Sequence, residues 1–338
     1  MTGKNPLFAI IVPFKAVDKF ALECIEGCLS QTMQGFELIL LPDKPIERRL
    51  LAERFGKKAM EKIKCIPTGQ KLPKGAASAK RNIGIESTKA EFIACIDSDA
   101  YPEPEWLESA LPLLRDEKVA AVGGPNLEPK NIGLWESLAI KTMHLYLTDT
   151  GLHDTFQKHR GAQVYRELPT SNIIIKRNLL LQIGKFDESL ATGEDVKACI
   201  LLRKTGKLIL FNRKTAVHHH NLRSFSEYLP RLSDYGRGKI RVLQETNSFR
   251  MANALVIAFL LYVILAPFAG IAFPIIWVFY AASIMAYAII AAIDCLLHSV
   301  RPVHVPFCVF IVFLTHLAYG IGTLQALLLP EKNLERRV

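Results

Sequence analysis

A doubly wound, mostly parallel α/β sheet followed by an all-α apolar region is the architecture this sequence predicts. Three observations carry it. From Phe8 to Gly123, short apolar runs suited to buried strands alternate with segments of helical spacing, the pattern of βα units joined by right-handed crossovers. One of these runs, Glu91–Ile96, ends in Asp97-Ser98-Asp99, and open sheets of this class bind ligands at the carboxyl ends of their strands. From Met251 onward the chain is overwhelmingly apolar.

Taken in order, Phe8–Val12 is a short apolar run that fits a buried parallel strand. Phe20–Ser30 has apolar residues at helical spacing (Leu22, Ile25, Leu29). Phe36–Leu41 reads as the second strand and stops at Pro42-Asp43. Arg48–Lys62 reads as a helix and Ile63–Ile66 as the third strand. Ala76–Ser87 follows as a helix, and Phe92–Ile96 as the strand that delivers the two aspartates. Trp106–Arg115 is a further helix and Val119–Gly123 a further strand. Lys130–Thr170 has no clear periodicity and is a candidate mobile or acceptor-facing segment. Later, Val196–Leu202 reads as an apolar helix and Leu208–Phe211 as a strand. The division expected is 1–222 for the α/β domain, 223–250 for a basic amphipathic segment, 251–330 for about three membrane helices and 331–338 for a polar tail.

At 338 residues the chain can hold two units. Met251–Gly270, Ile271–Ile293 and Pro306–Leu329 each come near the ~20 residues a spanning helix needs. Phe8–Val12 is too short for a signal-peptide core and runs into Pro13, so the α/β domain is expected in the cytoplasm, at the cytoplasmic membrane. The link near Pro267–Pro274 is uncharged, whereas the next contains His298, Arg301 and His304. The positive-inside rule then places the first link outside and the second inside. That arrangement sends the tail outside, which Arg336-Arg337 opposes. The third run is therefore either a full span or a re-entrant or interfacial helix. Asp294, near the end of the second run, is expected at the interface, since a buried carboxylate there is costly and marks function.

The formal net charge is +10. No basic motif with interleaved aromatics accompanies it, so nucleic acid is not the expected partner. Arg223, Arg231, Arg237, Lys239, Arg241 and Arg250 cluster before the apolar region, where they suit an anionic lipid surface or form a solvated helix face. The seven cysteines show no metal-ligand pairing and read as reduced core residues.

Asp97 and Asp99 are the residues richest in chemistry. Two carboxylates one residue apart repel unless a cation lies beside them, and hard oxygen ligands suit Mg²⁺ or Mn²⁺. A metal held there can hold a diphosphate. Asp after a strand also serves simply as a turn or cap residue, so the surroundings decide between the two readings.

Those surroundings are Ala79-Lys80-Arg81-Asn82-Ile83-Gly84, then Glu91–Asp99, then Pro104-Glu105-Trp106-Leu107. Glu23–Asp43, with Ser30-Gln31-Thr32 and Phe36-Glu37, precedes them, and Gly184–Glu188 followed by Gly193-Glu194-Asp195 comes after. In this order and spacing, across roughly residues 8–241, they resemble family-2 glycosyltransferases with the GT-A fold. The resemblance implies a nucleotide-sugar donor, UDP- or GDP-linked, held through Mn²⁺ or Mg²⁺. It implies Asp99 as metal ligand, Asp97 on the ribose or on the metal through water, and Arg81 near the diphosphate. It implies Asp43 on the nucleoside base, and it places Pro13, Lys15 and Ser98 on the donor side. His218-His219-His220 follow the strand Leu208–Phe211; relatives use a His here on the metal or diphosphate, and His219 is the favoured one.

Asp195 is the implied general base, taking the proton of an acceptor hydroxyl, with Glu194 orienting the site or holding the acceptor. A capping role at the start of the Val196–Leu202 helix is the alternative. The chain departs from the family pattern at Pro13-Phe14-Lys15 and at Leu41-Pro42-Asp43-Lys44-Pro45. It also lacks the Gln-x-x-Arg-Trp segment of processive synthases, so transfer of a single sugar is expected. The acceptor is either a lipid-linked saccharide hydroxyl or a polyprenyl phosphate. A non-catalytic membrane scaffold that retains the fold is a rival. A nucleotidyltransferase is another, though no Gly-rich phosphate loop follows the first strand.

Overall fold

Six consecutive buried residues form strand β1 (Phe8–Pro13) at the centre of the main sheet. A computed structural model describes residues 5–69, 72, 76–148, 162–220, 224–248 and 251–329. Helix α1 (Lys19–Leu29) is opened by Asp18, whose carboxylate accepts from the Ala21 N–H at 2.8 Å. Strand β2 (Phe36–Leu41), helix α2 (Arg48–Phe55) and strand β3 (Ile63–Cys65) follow. The helix expected over Arg48–Lys62 breaks at Gly56, whose φ of 83° lies in the left-handed region, and only a single 3₁₀ turn (Ala59–Glu61) continues it. Then come α3 (Ala76–Glu86), β4 (Phe92–Cys95), β5 (Ala100–Pro102), α4 (Trp106–Leu114), β6 (Val119–Gly123), β7 (Asn126–Leu127) and α5 (Leu134–Met143). They are followed by β8 (Gln163–Tyr165), β9 (Ile173–Lys176), α6 (Arg177–Gln182), α7 (Glu194–Lys204), β10 (Leu208–Phe211) and β11 (Val217–His219). The last four helices are α8 (Phe225–Glu245), α9 (Met251–Ala272), α10 (Ile275–Leu297) and α11 (Val305–Leu328).

The main sheet has the order β3-β2-β1-β4-β9-β6-β10-β8. Strands β3, β2, β1 and β4 are parallel, as the alternating pattern predicts. The sheet stays mostly parallel, as expected, with β10 parallel to β6 beyond β4, and two strands run the other way. Strand β9 inserts antiparallel between β4 and β6, and β8 closes the edge antiparallel to β10. A second sheet, β5-β11-β7, stands apart. One core of apolar residues, including Phe8, Ile10, Ile25, Leu40, Phe92, Trp106 and Ile174, lies against the main sheet.

The chain divides into two compact units, 1–130 with 156–220, and 131–155 with 221–338. The described residues 131–148, placed by sequence in the α/β domain, thus cluster with the C-terminal helices. The segment without clear periodicity, 130–170, holds α5 and β8, while 149–161 lies outside the described residues. In the second unit, Leu138 and Leu145 pack with Ala291, Cys295, Val300, Cys308 and Val312. Asp294, near the end of α10, is 4% exposed. Its carboxylate accepts from the N–H groups of Tyr146 (3.2 Å) and Leu147 (2.9 Å) and faces the His298 ring at 3.0 Å, which offsets the cost of burying it. Helices α9, α10 and α11 are long and apolar enough to cross a membrane. Of the basic residues noted above, Arg231, Arg237, Lys239 and Arg241 lie on α8, whereas Arg223, Arg250 and the tail 331–338 fall outside the described residues.

Candidate active site

The site forms where β1, β2 and β4 end together, at the carboxyl edge of the parallel half of the sheet. After β4 the chain turns at once, and the Ala100 N–H donates to the Asp97 carbonyl at 3.0 Å. This turn presents Asp97, Ser98 and Asp99, all half-buried. The small sheet then completes the cluster. Strand β11 pairs antiparallel with β5, so that His219 lies opposite Ala100, and the His220 N–H donates to the Asp99 carbonyl. His219 Nε2 stands 3.2 Å from Asp99 Oδ1 and 4.0 Å from Asp97 Oδ2. One ligand atom from each of Asp97, Asp99 and His219 lies within 4.8 Å of the others. Two carboxylates and an imidazole make a donor set that suits Mn²⁺ and tolerates Mg²⁺. Ligation through Nε2 requires the imidazole proton on Nδ1.

Arg81 ties this cluster to the second acidic motif. It lies on α3 among Ser78, Ala79, Lys80 and Asn82, all buried. Its guanidinium donates to Asp97 Oδ1 at 2.6 Å and to Glu194 Oε1 at 3.1 Å, leaving Asp97 Oδ2 for the metal side. Burial works to lower the Arg81 pKa, but Asp97 and Glu194 outweigh it, so it rises above its ordinary value. The structure therefore commits Arg81 to two carboxylates.

Glu194 and Asp195 open α7 behind Gly193, whose φ of 89° only glycine adopts readily. Both sit in the first turn, where carboxylates favour the helix dipole. Thr170 donates to Glu194 at 3.4 Å, and Asp195 Oδ1 accepts from the Val196 N–H at 2.7 Å. Burial, and next the neighbouring Glu194 charge, push the Asp195 carboxyl up to about 7. A carboxylate so tuned works as a base near neutral pH.

On the β1–β2 side, Pro13 ends β1 opposite Leu41. Lys15 is exposed, and its carbonyl accepts from the Asp43 N–H at 3.2 Å. Asp43 is held by Lys80, whose buried ammonium stands 2.5 Å from Asp43 Oδ1 and from the Phe14 carbonyl. Sequence reasoning missed this lysine; the signal available was a polar run, Ser78–Asn82, on a helix that packs against the sheet. It also missed the partners of the flanking histidines. His218 Nε2 meets Glu103 at 2.7 Å and its ring stacks on Tyr101, while His220 Nε2 meets Glu23 at 3.0 Å. Asn172 was missed as well: it is fully buried, accepts from Trp106 Nε1 and donates to the Pro125 and Thr215 carbonyls. Burial pushes the Cys95 thiol beside the site up to about 12, leaving it unreactive at neutral pH.

The profile described as "Glycosyl transferase family 2" matches residues 9–180. The chain belongs to that family. The match runs from β1 into α6 and contains Arg81, Asp97 and Asp99. Among its relatives is the pre-mycofactocin glycosyltransferase of Mycobacterium tuberculosis, 29% identical over 167 residues. That alignment covers 48% of this chain and 34% of the relative, so the chain matches about a third of that protein's length. The glucosyl-dolichyl phosphate glucuronosyltransferase of Haloferax volcanii is 22% identical over 208 residues, covering 58% of this chain and 63% of the relative. In fold, the chain is similar to a mannosyltransferase from Pyrobaculum calidifontis solved with GDP-Man and Mn²⁺. The TM-score is 0.57 at 14% identity, covering 96% of this chain and 88% of the other. The GT-A architecture expected from sequence for the α/β part is thus borne out by the fold.

Proposed function

We propose that this family-2 glycosyltransferase is a membrane-anchored, metal-dependent, inverting enzyme. It transfers one sugar from a UDP- or GDP-sugar to a lipid-linked saccharide hydroxyl at the cytoplasmic membrane face. The observation that carries this reading is the Asp97–Asp99–His219 cluster joined through Arg81 to Glu194 and its neighbour Asp195. Asp97, Asp99 and His219 would hold Mn²⁺ or Mg²⁺. When bound, such an ion neutralises the diphosphate and stabilises it as a leaving group. The solved relative's GDP-Man and Mn²⁺ support this choice of donor and metal.

The remaining roles belong to the chain itself. Asp43 faces the nucleoside, oriented by Lys80, while Pro13, Lys15 and Ser98 line the donor side. Arg81 positions Asp97 and Glu194. Asp195 takes the acceptor proton on its carboxylate, and direct attack from the opposite face inverts the anomeric centre. The catalytic part lies within 1–222, the basic segment is 223–250, and the membrane helices lie within 251–330.

The relative named a glucosyl-dolichyl phosphate glucuronosyltransferase, whose named lipid phosphate already carries a sugar, supports the hydroxyl acceptor; the second reading is transfer to a polyprenyl phosphate itself. A phosphate acceptor is already ionised and needs no base. Assaying Asp195→Asn with each acceptor separates the two. Loss with the hydroxyl acceptor alone supports the first reading. Full activity of Asp195→Asn on every acceptor removes Asp195 from the reaction. Metal-dependent hydrolysis of the nucleotide sugar by the wild type rules out a non-catalytic scaffold.

A further inference from the structure

Among the described residues, three helices are apolar enough to span, but they do not share one environment. The most apolar windows of α9 and α10 are 11% and 6% buried, whereas that of α11 is 44% buried. Where α11 meets the other two explains the difference. Helices α9 and α10 form an antiparallel hairpin, with Gly270 against Trp277 at its tip and Tyr262 beside Tyr280 lower down. At 1.5 Å per residue, depth can be counted from the base of the hairpin, the start of α9 and the end of α10.

Cys308 packs against Cys295, about 3 Å above that base. His316 bonds the Tyr287 hydroxyl and packs on Phe259, roughly 12–15 Å up. Gly320 then meets Val256 and Leu260, roughly 8–14 Å up. So α11 climbs at first and then stops climbing, well short of the tip. The far half of the hairpin, Leu261–Met285, is exposed or half-buried apart from Gly270.

The half of α11 that would have to occupy the far leaflet is instead taken by α8. Tyr228 bonds Thr315, the Arg237 guanidinium donates to Gln325, and Gly236 and Gly322 bring the two backbones into contact at the Tyr319 and Ser233 carbonyls. Helix α8 carries seven charged residues: Glu227, Arg231, Asp234, Arg237, Lys239, Arg241 and Glu245. An upright α11 would carry Asp234 and Arg237 into hydrocarbon, where charged side chains are strongly disfavoured. Trp135 and Tyr228 also pack together, and Trp135 reaches Phe307 near the start of α11; Trp and Tyr are the residue types that collect at the headgroup level.

We propose that only α9 and α10 cross the membrane. Helix α11 reaches no deeper than about the middle of the hairpin and, with α8, stays on the side from which α9 enters. The tail 331–338 is then on the same side as the chain preceding α9, which accords with Arg336-Arg337 and the positive-inside rule. The inference rests on the membrane-anchored reading above.

The test uses the full-length chain in bacterial cells with a membrane-impermeant maleimide, the wild type giving the background from its own cysteines. Phe273→Cys, at the tip of the hairpin, should label in intact cells. Arg336→Cys should lose labelling in intact cells and regain it on permeabilisation. Labelling of both variants in intact cells overturns the proposal, because α11 then crosses. Labelling of neither overturns the membrane-spanning hairpin itself, a separate failure from that of α11.

Discussion

Arg81→Met is expected to destabilise the catalytic unit by about 3 kcal/mol. The Arg81 side chain is 3% exposed and bonds Asp97 and Glu194, which belong to different segments of the chain. Removing one partner of a buried ion pair costs about 3–5 kcal/mol, because the partners left behind stay charged. Here the Asp97 and Glu194 side chains are 32% and 13% exposed, so water screens the residual charge and the lower end applies. For a unit of this size, about 3 kcal/mol corresponds to a fall of roughly 6–12 °C in Tm. The assay is thermal unfolding of the full-length protein in mild detergent without added metal. Arg81→Lys keeps the charge but loses the two-pronged geometry and should fall between the wild type and Arg81→Met. Adding Glu194→Gln to Arg81→Met should recover part of the loss, since one stranded carboxylate disappears; coupling between contacting residues runs to about 0.5–3 kcal/mol. An Arg81→Met protein melting within about 2 °C of wild type would show that the guanidinium is not the strut joining the two acidic motifs.

Asp195 links activity and stability to pH. Its raised pKa, about 7, means that activity with a hydroxyl acceptor should rise through neutral pH and disappear in Asp195→Asn, as initial rates from pH 5.5 to 8.5 would show. The same shift makes the folded state hold its proton more tightly than the unfolded one. Wild-type stability should therefore decline as pH climbs from about 4 to about 7, by at most about 4 kcal/mol and by less because the carboxyl is only half-buried; Asp195→Asn should lack this decline in denaturant titrations. Asp99→Ala and His219→Ala should each weaken Mn²⁺ binding by on the order of tenfold or more, read by electron paramagnetic resonance of free Mn²⁺; unchanged affinity in both removes them from the metal site. Asn172→Ala strands the Trp106 N–H and the Pro125 and Thr215 carbonyls and should cost roughly 3 kcal/mol or more, with a loss under about 1 kcal/mol indicating that water takes its place.

What the sequence revealed was set by how local each signal is. Strands β1 and β4 are unbroken apolar runs and β2 is interrupted only by Glu37, so each could be read alone. Asp97 and Asp99 stand one residue apart and betray themselves. The pairing of Arg81 with Glu194 spans 113 residues, and neither residue predicts the other without the resemblance to known glycosyltransferases. Strand β9 escaped for another reason. A strand buried on both faces reads as a continuous apolar run whatever its direction, so Ile173–Lys176 gives no hint that it runs antiparallel. Helix α5 was unassigned because its partners, Ala291 to Val312, lie far along the chain. The partners of Asp294 were not legible because they are mostly backbone N–H donors, which leave no mark in a sequence.

The central claim is that Asp97, Asp99 and His219 together bind a divalent cation and, through it, a nucleotide sugar. Isothermal titration of the full-length protein in detergent with UDP- and GDP-sugars, with and without Mn²⁺, tests it most directly. Binding of a donor that requires Mn²⁺ and vanishes in Asp99→Ala is the predicted result. Donor binding of equal strength with the metal chelated, or unaffected by Asp99→Ala, would contradict it.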